Sequence, residues 1–136
     1  MRHGEREDYS QKGKGSNWTA SAPHPFDPPL TPNGLKQGEA AGVKILSLLE
    51  SFRKPAPTAA YTSPLKRCGE TLSSALVGMG SSTATSVPLN IETGLVESIN
   101  EDWYRSWGAP GADSTWGGPA HCRKGMPVKV SAKGWT

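Results

Sequence analysis

The sequence is poor in the residues that build a core. Apolar residues make up 35 % of its 136 positions, against about 45–50 % in ordinary globular chains. Aromatic residues are 7 %. No apolar run approaches the roughly 20 residues that cross a bilayer. The best run, Val43 to Leu49, is short and carries Lys44, so a membrane partner is not expected. Cysteine is scarce too. Cys68 and Cys122 stand far apart, which excludes a disulfide scaffold and shows no metal-ligand spacing. The N-terminus is polar from its second residue, so the sequence shows no signal peptide. A reducing, cytoplasmic setting is the expectation. Net charge is only +3, far from the dense basic face of a nucleic-acid binder. No repeat period is present.

Glycine and proline are abundant instead, with 16 and 12 copies. The length suits one domain, with a small core and long loops. Residues 1–34 show almost no periodic pattern. A helix is expected from Pro32, with Thr31 as N-cap and proline at the first helical position. Leu35, Gly38, Gly42, Ile45/Leu46, Leu49 and Phe52 then share one helix face. Ala59–Thr62 reads as a short strand. Ser63-Pro64 reads as the opening of a second helix, with Leu65, Cys68, Leu72, Ala75/Leu76 and Met79 on one face, ending at Gly80. Alternation of Val87, Leu89 and Ile91 predicts another strand over 86–92, short or at an edge because of Pro88. A short helix is expected within Leu95 to Ser106. The remainder, 108–136, reads as Gly/Pro/Ser-rich loop or disordered tail. Helix, strand, helix, strand in that order suggests an α/β layer fold with a parallel sheet.

Three clusters carry potential chemistry. Arg2-His3-Gly4-Glu5-Arg6 sets one imidazole among guanidiniums. Imidazole is a nucleophile near neutral pH, and guanidinium forks match phosphate oxygens. The plain alternative is a frayed basic terminus. Ser63-Pro64-Leu65-Lys66-Arg67-Cys68 lies where a strand turns into a helix, the side of an α/β sheet that faces ligands. Lys66 and Arg67 in a first turn oppose the helix dipole by about 0.3–1 kcal/mol each unless an anion lies between them. A solvated helix start is the alternative. Glu92-Thr93-Gly94-Leu95-Val96-Glu97-Ser98 places Glu97 as a proton donor or as an exposed carboxylate at a helix start. Trp18, Trp103, Tyr104, Trp107, Trp116 and Trp135 either line a substrate mouth or, by default, cap a small core.

The clusters occur in a telling order. Arg2-His3-Gly4-Glu5-Arg6 comes first. Phe26-Asp27-Pro28-Pro29-Leu30-Thr31-Pro32-Asn33-Gly34 with Gln37 follows. Tyr61-Thr62-Ser63-Pro64-Leu65-Lys66-Arg67-Cys68 with Glu70-Thr71 comes next, then Gly94-Leu95-Val96-Glu97. This combination resembles the histidine phosphatase superfamily, also called phosphoglycerate mutase-like, and its eukaryotic Arg-His-Gly-Glu-Arg branch most. The resemblance covers residues 1–107, taken as a partial histidine phosphatase domain. It implies a three-layer α/β sandwich with a mostly parallel sheet. It implies a phosphatase or phosphotransferase acting on phosphate esters, with no cofactor and no metal. His3 would be the nucleophile, Arg2, Arg6 and Arg67 would hold the phosphoryl oxygens, and Glu97 would donate the proton. Two departures stand out. The family sets a buried strand before its Arg-His-Gly, and here Met1 precedes Arg2. The family also has a second histidine in a downstream His-Gly pair, which neither His24 nor His121 matches. The expectation is therefore a domain lacking its first strand and its C-terminal part, and marginal in stability. The alternative function is an inactive relic that binds phosphate or a protein partner without turnover.

Overall fold

The computed structural model describes residues 1–25 and 27–95. The elements are α1 (Glu7–Gly13), α2 (Trp18–Ser21), α3 (Pro32–Ser51), β1 (Ala60–Thr62), α4 (Lys66–Gly78), α5 (Ser81–Ser86), β2 (Leu89–Ile91) and a 3-10 turn, Thr93–Leu95. The α/β expectation holds. β1 and β2 pair in parallel, with Ala60 opposite Leu89 and Thr62 opposite Ile91. Such a pair needs a crossover, and α4 with α5 supplies it. None of the described helices is long and apolar enough to cross a membrane.

α3 starts where its residues dictate. Thr31 is extended, and its hydroxyl accepts a hydrogen bond from the Gly34 N–H at 3.0 Å. Pro32 follows at the first helical position, where a missing N–H is harmless. The helix ends in an unusual way. Arg53, just beyond the cap residue Phe52, has φ +50°. The turn still satisfies the last carbonyls, with Lys54 N–H donating to Leu49 O at 2.8 Å. Arginine in that region costs about 1 kcal/mol that glycine avoids. Arg53→Gly is expected to raise stability by about 0.5 kcal/mol, the net after glycine's greater freedom in the unfolded chain. A higher urea midpoint at unchanged slope is the check.

α3 and α4 form the main helix contact. Its seam is made of small residues. Gly34, Gly38 and Gly42 are the buried positions of α3. A side-chain carbon at Gly42 would land on the Ala75 carbonyl oxygen, and one at Gly78 on that of Glu39. The two backbones are therefore in contact. The expected α3 face is corrected at both ends. Leu35 is 36 % exposed and Phe52 70 %. Gly38 and Gly42 face α4 and Gly34 faces the Glu5 backbone, which leaves Leu35 partly exposed. Ile45 and Leu46 do reach the core. That core is small: Ala60, Leu76, Met79, Val87 and Leu89, with Leu76 and Leu89 fully buried.

Two further differences concern the expected loops. Residues 1–34 are more ordered than their pattern suggests, because hydrogen bonds to α3 and α4 replace apolar periodicity. α4 begins at Lys66 with Leu65 as N-cap, so Ser63-Pro64 does not open it. α5 was not expected from the sequence. The expected short helix over 95–106 and the tail over 108–136 lie outside the described residues, apart from Leu95.

Candidate active site

Within the segment Arg2–Arg6, the residues from Gly4 to Arg6 are tied down at every step. Gly4 N–H donates to Thr71 Oγ1 at 3.0 Å, and Thr71 donates in turn to Arg67 O at 2.7 Å. Glu5 N–H donates to Gln37 Oε1 at 2.8 Å. The Glu5 carboxylate accepts from Thr31 Oγ1 at 2.5 Å and from Asn33 Nδ2 at 3.4 Å. Thr31 N–H returns to Glu5 O at 3.0 Å, and Arg6 bridges Leu30. Glycine is required where this loop crosses α3. A side-chain carbon at Gly4 would meet the Gly34 carbonyl oxygen, and one at Gly34 would meet that of Glu5. The frayed-terminus alternative does not survive these contacts for Gly4–Arg6, while Arg2 is exposed.

His3 is half-buried. Its Nδ1 lies 2.8 Å from Gly4 O. A carbonyl only accepts, so Nδ1 carries the proton and Nε2 of the neutral ring carries the lone pair. Burial lowers the His3 pKa, and the Gly4 carbonyl works against that shift. The positive charges of Arg67, Arg6 and Arg2 lower it further. The imidazole is thus neutral at physiological pH. It lines a cavity of about 330 Å³ with Thr62, Ser63, Cys68, Thr71 and Leu95 among the other walls.

The three expected arginines differ in setting. Arg2 is exposed. Arg6 is buried and held by Asp8, with Nη2 to Oδ2 at 2.6 Å and Nε to Oδ1 at 3.0 Å. It also stacks on the Tyr9 ring at 4.2 Å. Arg67 is 3 % exposed and lies 3.7 Å from Asp27 Oδ1. The positive charges of all three guanidiniums act on the His3 ring, but among the described residues that line the His3 cavity there is no arginine. Glu97, the expected proton donor, lies outside the described residues, as does His121.

Asp27 is the residue that sequence reasoning left without a role. It is 1 % exposed. Its two carboxylate oxygens accept the Lys66 N–H at 2.9 and 3.0 Å. It therefore supplies the negative charge at the α4 N-terminus that Lys66 and Arg67 seemed to oppose. Its one sequence signal is its place in the Asp27-Pro28-Pro29-Leu30-Thr31 string. Glu70 is a half-buried carboxylate nearby. Its Oε2 accepts Leu30 N–H at 2.8 Å, and burial raises its pKa against the pull of that bond and of Lys66. Among the described residues, no three His, Cys, Asp or Glu side chains are grouped to hold a metal ion.

The chain matches the family model of the histidine phosphatase superfamily (branch 1) over residues 1–109. It belongs to that superfamily. No curated protein was found to match it. The matched stretch contains every element above, from the Arg2–Arg6 loop to β2. In a histidine phosphatase the arrangement has a plain chemical sense. A neutral imidazole with its proton on Nδ1 lines a cavity at the end of β1, in the positive field of three arginines.

Proposed function

We propose that this protein transfers phosphoryl groups from phosphate esters, as a phosphatase or phosphotransferase acting through His3. The observation that carries the reading is the hydrogen bond from His3 Nδ1 to the Gly4 carbonyl, which leaves Nε2 as the nucleophile. In the first step the Nε2 lone pair attacks phosphorus. The P–N bond forms, the ester P–O bond breaks, and the leaving oxygen takes a proton, with Glu97 as its donor. In the second step water attacks phosphorus and gives a proton to the Glu97 carboxylate as the P–N bond breaks, returning neutral His3 and protonated Glu97. Covalent catalysis of this kind divides one hard displacement into two easier ones. Charge builds on the phosphoryl oxygens in both steps, and Arg2, Arg6 and Arg67 stabilise it. Asp27 and Asp8 hold Arg67 and Arg6 in place.

The test is hydrolysis of p-nitrophenyl phosphate by the purified chain. Turnover is expected, and its pH dependence follows from His3. The nucleophile is the deprotonated ring, so kcat/KM rises with pH through the His3 pKa. That pKa is lowered from 6.5. The acid limb should therefore fall below about 6.5, the ordinary histidine value. An NMR titration of the His3 imidazole should show the same displaced midpoint. The sign for stability is parallel. The unfolded chain binds the proton more readily, so the His3 contribution is complete above the unfolded pKa and is lost as pH falls through the folded one.

A second reading has one observation in its favour. Arg6 and Arg67 each face a carboxylate, which weakens the net positive field at His3. Orthophosphate binding without turnover would favour a phosphate-binding protein over an enzyme.

A further inference from the structure

A second cavity, of about 560 Å³, lies between α1 and α2. Its walls include Tyr9, Lys12, Asn17, Trp18 and Asp8. Its size is that of a small-molecule site. Its electrostatics follow from the charge pairs. The Asp8 carboxylate is neutralised by Arg6 at 2.6 Å. Among the described residues no carboxylate pairs with Lys12. The wall therefore carries one uncompensated positive charge. Its apolar surface comes from two aromatic rings. Tyr9 is 58 % exposed and Trp18 is half-buried in a four-residue helix. A short helix with no buried residue gives Trp18 no core to fill. The sequence alternative that this tryptophan caps the core is not what the structure shows.

We infer that this cavity binds a planar aromatic anion, with its ring against Tyr9 and Trp18 and its charge at Lys12. Ring stacking and an attractive charge at Lys12, which is exposed, together discriminate such a ligand from either half alone. The site is separate from the cavity at His3, but Tyr9 belongs to both neighbourhoods. Its ring lies under the Arg6 guanidinium at 4.2 Å, and its hydroxyl accepts from Arg6 Nη1 at 3.3 Å. The assignment does not depend on phosphoryl transfer at His3.

Calorimetric titration of the full chain tests it, with naphthoate as probe. Two controls divide its chemistry: naphthamide keeps the rings without the charge, and the saturated decalin carboxylate keeps the charge without the aromatic rings. Saturable binding of naphthoate is expected, with each control weaker by about fivefold or more. Lys12→Ala, an exposed change, should erase the preference over naphthamide. Trp18→Ala should weaken naphthoate by about tenfold and Trp18→Phe by less. His3→Ala should bind naphthoate as the parent does. Equal binding of naphthamide, indifference to both Trp18 variants, or no saturation at millimolar naphthoate would each overturn the assignment. Loss of binding in His3→Ala would also overturn it, by placing the probe at the other cavity.

Discussion

His3→Ala is expected to lower kcat on p-nitrophenyl phosphate by at least about a thousandfold while leaving the fold intact. Removing the covalent nucleophile leaves only the binding and charge-stabilising groups, and those alone supply a small part of an enzyme's rate. The stability side of the prediction is as specific. His3 is half-buried, and the hydrogen bond of its ring goes to the next residue in the chain. The loop around it is held by Gly4, Glu5 and Arg6 through backbone and carboxylate contacts that alanine at position 3 does not touch. The change in unfolding free energy should stay below about 1 kcal/mol. Orthophosphate should still bind, because Arg2, Arg6 and Arg67 remain. Parallel measurement of turnover and of the urea midpoint separates loss of chemistry from loss of structure. A variant that is inactive and also unfolded would mean that His3 holds the loop rather than acting in it.

Asp27→Ala is expected to act in the opposite way, through the fold. The carboxylate is buried and serves two neighbours, the Lys66 N–H at 2.9 and 3.0 Å and the Arg67 guanidinium at 3.7 Å. Alanine removes the cap of α4 and takes the counter-charge from beside a guanidinium that is 3 % exposed. Breaking a buried pair in this way costs about 3–5 kcal/mol. Small domains are stable by only about 5–15 kcal/mol, so the urea midpoint should fall steeply. Asp27→Asn divides the effect. The amide oxygen still accepts from Lys66, but the charge is gone, so its loss should be about half as large. Phosphate affinity should drop in the asparagine variant even where the chain is folded, because Arg67 loses its orientation. A change below about 1 kcal/mol for alanine would remove Asp27 from the account.

Much of this was legible in the sequence where the cause is local. Thr31-Pro32 set the start of α3 because a cap needs only a hydroxyl and a neighbouring N–H. The parallel pairing of β1 and β2 followed from the order of elements. The Arg2–Arg6 loop was legible as a motif, and Arg67 as a cation in the first turn of α4. What was missed depends on contacts between distant parts of the chain. Periodicity puts Gly38 and Gly42 on the inner face of α3, where α4 meets them, but it extends that face to Leu35 and Phe52 and misses Gly34, which meets the Glu5 backbone. Ser63-Pro64 looked like a helix opening, yet the α4 N-terminus is capped from 39 residues away by Asp27. Glu5, Gln37 and Thr71 stand in the motif string, but their contacts are not legible there, because each acts on a segment that sequence distance separates from it. α1 and α2 have no apolar face for a pattern to reveal.

If His3 carries the phosphoryl group, the adduct can be trapped by mixing the chain with an aryl phosphate, denaturing it in base within the turnover time, and mapping the phosphorylated peptide by mass spectrometry and phosphorus NMR. An acid-labile, base-stable adduct is expected on the peptide that contains His3, absent from His3→Ala. An adduct on another residue, or turnover that persists undiminished in His3→Ala, would contradict this role of His3.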